Sequence, residues 1–81
     1  MTKAHKIEKP LGEVVSSIGA RMSYRGVTVA DLARKTGLSR QSIRKLRNGE
    51  FDSIHLETLA LLCRELDCTI ASLIHYEKPK A

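Results

Sequence analysis

The chain reads as an all-α protein, a compact five-helix domain around a small aliphatic core, and three observations carry that expectation. Apolar residues recur at three- and four-residue spacing along most of the chain, and no stretch alternates as a half-buried strand does. Gly26, Gly37 and the Asn48-Gly49 pair punctuate that pattern at intervals suited to short helices. The length of 81 residues allows one domain, and with one Phe, two Tyr and no Trp the core is built from aliphatic side chains. Too little bulk remains to wall an active-site cleft or a cofactor pocket. The expectation is a protein that works from its surface.

Residues 1–9 lack periodicity and read as a flexible basic arm carrying Lys3, Lys6 and Lys9. The folded domain is expected over residues 10–76. Pro10 suits the start of a first helix, with Leu11, Val14, Val15, Ile18 and Met22 on one face and a stop at Gly26. Gly12 and Gly19, on the opposite face, each weaken that helix by ~1 kcal/mol relative to Ala. Thr28 and Asp31 read as a cap and its acidic partner at the start of a second helix. Its inner side is Val29, Leu32, Ala33 and Thr36, and Gly37 ends it. Ser39 caps a third helix, spanning 39–48, with Ile43 and Leu46 inward and Leu38 leading in. Phe51 and Ile54 tuck a loop into the core. A fourth helix places Leu56, Leu59, Leu62, Cys63 and Leu66 inward. Thr69 caps a short fifth helix bearing Ile70, Leu73 and Ile74, and residues 77–81 form a disordered tail.

No apolar run approaches the ~18–20 residues that span a bilayer, and no apolar stretch follows the basic start as in a secretory signal. Two cysteines without such a signal point to free thiols in a reducing, cytoplasmic setting. The formal charge of +5 is concentrated. Residues 1–20 carry +1, residues 21–47 carry eight basic residues against Asp31 alone, and residues 48–81 carry −3. A cationic block of that density attracts phosphates and steers encounter with a polyanion.

The informative stretch is Thr28 to Gly49, TVADLARKTGLSRQSIRKLRNG, which reads helix, tight turn at Gly37, helix. Ala33 is small where the two helices cross. Leu38, Ile43 and Leu46 pin the third helix on the second, leaving Gln41, Arg44 and Lys45 outward with Arg40 and Arg47 beside them. Such a face suits the major groove, because Arg and Lys pair with guanine O6 and N7 and Gln pairs with adenine N6 and N7.

On Thr28, Leu32-Ala33, Thr36-Gly37-Leu38-Ser39, Gln41-Ser42-Ile43, Leu46 and Asn48-Gly49, the chain resembles the Cro/C1-type (XRE) helix-turn-helix family. The later LETLALLCRELDC (residues 56–68) is similar to the small YozG-like single-domain branch. The resemblance covers roughly residues 11–76 and implies a lambda-repressor-like fold whose third helix enters the major groove. It implies base contacts from Arg40, Gln41 and Lys45, with Arg44 a further candidate. Backbone contacts are implied for Thr28, Arg47 and Asn48, with Ser39 at the cap beside them. Two positions depart from the family pattern. Val29 stands where a phosphate-binding Gln is usual, so Arg44 or a looser registration must replace it, and His55 stands where an Asp-like cap is usual.

Leu61 falls on the outer side of the fourth helix, and with Ile74 and Tyr76 it forms a candidate dimer patch. A two-fold dimer matches a palindromic operator with half-sites one helical turn, ~34 Å, apart. Cys63 and Cys68, with His55 and His75, lack zinc-finger spacing and read as packing residues, so no metal or cofactor is expected. No nucleophile–base arrangement suggests an enzyme. The expected function is a sequence-specific, double-stranded-DNA-binding transcriptional regulator, a repressor acting as a homodimer. No ligand-sensing domain is expected beside it. The alternatives are the antitoxin half of a toxin–antitoxin pair, with a toxin as partner protein, and an RNA-binding or adaptor module.

Overall fold

A computed structural model describes residues 11–79. In chain order these form β1 (Glu13–Ser16), α1 (Ile18–Arg25), α2 (Val29–Thr36), α3 (Arg40–Asn48), α4 (Leu56–Leu66), one 3₁₀ turn (Ile70–Ser72) and β2 (Ile74–Glu77). The all-α, five-helix expectation is therefore corrected at both ends of the domain. Among the described residues there are four α-helices, and the flanking segments pair as a two-stranded antiparallel sheet.

At the first end, Glu13–Ser16 is a strand and the helix begins only at Ile18. Leu11 and Val14, expected in the core, stand 69% and 68% exposed. Val14 and Val15 are β-branched and lie two and three residues after Gly12, a poor context for nucleating a helix. They also have a partner: Glu13 faces Glu77, Val14 faces Tyr76, Val15 faces His75 and Ser16 faces Ile74. At the second end, the predicted fifth helix is only the 3₁₀ turn, and Thr69 gives it no side-chain cap bond. The chain extends from Ile74, where Ile74 and Tyr76 are strand formers and β1 offers a partner. Two hydrogen bonds brace this closure. Ser17 N–H donates to Leu73 C=O at 2.7 Å, and Gly12 N–H donates to Tyr76 Oη at 3.0 Å.

Glu77 ends β2, and Lys78 and Pro79 follow without regular structure. The expected basic arm, Pro10 and the last two residues of the expected tail lie outside the described residues.

The core takes Ile18 and Met22 from α1, Leu32 from α2, Ile43 and Leu46 from α3, Leu59, Leu62 and Leu66 from α4, and Leu73 from the link to β2. Phe51 and Ile54 pack against it as expected. Leu56 does not, for it is the first residue of α4 and stands 80% exposed. His55 gives α4 no side-chain cap bond. Gly19, expected on the idle face of its helix, is the close-approach point between α1 and α3. A Cβ there would lie 2.7 Å from the carbonyl oxygen of Arg47.

Candidate nucleic-acid interface

The hydrogen bonds of α2, the turn and α3 are almost all local. Thr28 Oγ1 accepts from Asp31 N–H at 3.1 Å, and Thr28 N–H donates to Asp31 Oδ2 at 3.2 Å, closing a reciprocal capping box. The bond from the Thr28 backbone holds the Asp31 carboxyl below its ordinary range, helped by the Thr28 hydroxyl and by Arg34 at 3.3 Å. At the other end of α2, Thr36 Oγ1 donates to Leu32 C=O at 2.6 Å and accepts from Leu38 N–H at 3.2 Å. Gly37 sits between them at φ 81°, a conformation that costs other residues a Cβ clash. Ser39 Oγ then accepts from Ser42 N–H at 3.0 Å and opens α3.

This frame fixes which side of α3 is free. Ile43 and Leu46 are buried, whereas Arg40, Gln41, Arg44, Lys45, Arg47 and Asn48 are all exposed. At 3.6 residues per turn the exposed residues divide into two stripes. Arg40, Arg44 and Arg47 run along the flank toward α2, and Gln41, Lys45 and Asn48 run beside them. The first stripe lines a cleft of about 420 Å³ whose other wall is Thr28, Val29 and Ala30 at the start of α2, with Gly19 and Met22 behind. Peptide N–H groups in the first turn of a helix have no intrahelical partner, so this cleft sets three guanidinium groups beside unpaired backbone donors. It is chemically an anion cleft.

Val29 is half-buried against the core, so its side chain serves packing while its backbone borders the cleft. Among the described residues, Arg40, Arg44, Lys45 and Arg47 make no ion pair with a carboxylate. Arg47 Nε instead donates to Asn48 Oδ1 at 3.1 Å, joining two of the residues expected at the DNA backbone.

The structure thus brings Thr28, Arg40, Arg44 and Arg47 around one cleft and leaves Gln41, Lys45 and Asn48 on the open face beside it. Ser39 is at the mouth of the turn. The residues expected at a dimer interface lie elsewhere. Leu61 is half-buried on α4, Ile74 is half-buried against the core, and Tyr76 on β2 is exposed across from Val14. The sequence reading missed the convergence of the arginine stripe on α2. The signal was present as the i, i+4, i+7 spacing of residues 40, 44 and 47. It also missed Gly19 as the point that sets how deeply α3 seats.

Comparison with known proteins agrees with this geometry. A family model described as the Cro/C1-type HTH DNA-binding domain matches residues 18–79. A relative from Bacillus subtilis (strain 168), the uncharacterized HTH-type transcriptional regulator YozG, is 25% identical over 63 residues, covering 78% of this chain and 75% of its own. With the model match running from α1 through β2, the chain belongs to the Cro/C1-type helix-turn-helix DNA-binding family.

Proposed function

We propose that the protein is a transcriptional regulator, acting as a repressor, that reads the major groove of double-stranded DNA with helix 39–48. The observation that carries the reading is the composition of the outer face of α3, where every exposed residue from Arg40 to Asn48, apart from the cap-bonded Ser42, is a cation or an amide. Arg40, Gln41, Arg44 and Lys45 are assigned to base edges, where Arg and Gln pair bidentately. Thr28, Ser39, Arg47 and Asn48 are assigned to the phosphate backbone, and Arg47 with the first-turn N–H groups of α2 across the cleft supplies the registration that Val29 cannot. The protein is assigned as a homodimer on a palindromic operator, with Leu61, Ile74 and Tyr76 toward the partner copy.

Selection of sites from random duplexes at two salt concentrations tests this directly. A palindromic consensus with half-sites ~34 Å apart is the expected result. Arg40→Ala and Gln41→Ala should each cost ~1–3 kcal/mol on the selected site and relax one base position, whereas Arg47→Ala should weaken all duplexes alike. Uniform losses on selected and random duplexes from all three variants would remove base readout from this helix. No enriched motif, together with a steep salt slope, would reduce the activity to nonspecific binding.

A further inference from the structure

We propose that Cys63 and Cys68 are a peroxide-responsive dithiol that closes to an intramolecular disulfide across the C-terminal cap of α4. The helix ends on Asp67 in a left-handed conformation, φ 52°, and the carbonyl of Cys63 accepts from the N–H of Asp67 and, at 3.1 Å, from that of Cys68. In a cap of this kind the residue that accepts the six-to-one bond and the residue that donates it pack their side chains on each other. Here both are cysteines. Backbone geometry on either side of a 3.1 Å hydrogen bond limits the two Cα atoms to about 7 Å, and any bend at the bond brings them into the ~4.4–6.8 Å span of disulfides. Both thiols are free, half-buried and packed against the core, and the chain has no other cysteine with which either can pair.

The two sulfurs take different roles. Burial, with the Cys68 thiol as neighbour, pushes the Cys63 thiol up and keeps it protonated at neutral pH. Cys68, one residue past the left-handed cap at Asp67, is assigned as the sulfur that reacts first. Its thiolate attacks one oxygen of hydrogen peroxide, the O–O bond breaks, and hydroxide leaves and takes up a proton to become water. The sulfur is now sulfenic acid. Cys63 sulfur attacks the Cys68 sulfur, an S–S bond forms, the S–O bond breaks, and the thiol proton leaves with the hydroxyl as a second water. Two thiols are oxidised by two electrons and one peroxide is reduced to two waters. The closed bridge fixes the turn at Asp67, whose carbonyl accepts from Arg21 of α1 at 3.2 Å and whose carboxylate lies 3.7 Å from Arg25.

The test treats the reduced, full-length, folded protein with a small excess of hydrogen peroxide. The product is unfolded into N-ethylmaleimide, so that free thiols are counted directly and methionine oxidation does not interfere. The expected product is a monomer lacking two hydrogens that takes up no maleimide until dithiothreitol is added. It should melt several degrees above the reduced form, as a short covalent loop would make it. Cys63→Ser and Cys68→Ser should lose that rise in Tm. A sulfinic acid on one cysteine with the other still reactive, a covalent dimer, or a bridge that forms only after unfolding would each overturn the proposal.

Discussion

A methyl group on Gly19 would meet a backbone carbonyl, that of Arg47, at 2.7 Å, and a carbonyl held in a helix cannot swing aside as a side chain can. Helix propensity favours Ala over Gly by ~1 kcal/mol, but forcing atoms into a packed crossing costs ~1–3 kcal/mol. Gly19→Ala should therefore destabilise on balance, read by urea melting, and weaken DNA binding by displacing Arg47. Asp31 acts through charge instead. Its carboxyl is held below the ordinary value of 3.8 by the Thr28 backbone bond, so it stabilises the fold above that pH and loses the contribution as pH falls through the depressed value. The gap in urea midpoint between the parent and Asp31→Ala should be full at neutral pH and close in acid. A gap that persists in acid would place the effect in something other than the ionised capping box.

The sheet that joins the ends of the domain contains a mismatch with a measurable consequence. Glu13 and Glu77 face each other across the ladder, and like charges directly opposite destabilise a pair of strands. Glu13→Lys should raise stability by ~0.2–1 kcal/mol in a urea melt, and an unchanged midpoint would mean that both carboxylates are fully screened. The same strands explain where the sequence stopped being readable. Leu11, Val14, Val15 and Ile18 satisfy the i, i+3, i+4, i+7 template of a helix, yet Val14 and Val15 are equally at home in a strand. What decides between the two is Ile74–Glu77, some sixty residues away and invisible to any local pattern. By contrast α2 and α3 were legible because everything that defines them lies within about ten residues: the Thr28–Asp31 box, the Thr36 and Gly37 turn, and the Ser39 cap. The exposed face of α3 was legible for the same reason. The cleft was not, because the gap between its walls is set by where α1 lets α3 settle, and that depends on one glycine in another helix.

The charge of +5 is distributed so that residues 21–47 carry +7 while the chain from residue 48 onward carries −3, and Arg40, Arg44 and Arg47 of the first group border the anion cleft. For a protein that binds through such a surface, the logarithm of affinity falls with the logarithm of salt by about 0.9 for each phosphate neutralised. This turns the division of labour on α3 into a titration. Gln41 carries no charge, so Gln41→Ala should lower affinity for the selected site and leave the salt slope unchanged. Arg47→Ala should shallow the slope on every duplex. The size of that change also counts copies: a monomer loses one phosphate contact and changes by about 0.9, whereas a two-fold dimer loses the contact in both half-sites and changes by about 1.8. Titrations between low and physiological salt on a selected palindrome, compared with a duplex bearing one half-site, separate the two. A change near 0.9 on both duplexes would leave the face of α3 as the reading surface and remove the dimer; a slope that Arg47→Ala does not move would remove Arg47 from the backbone.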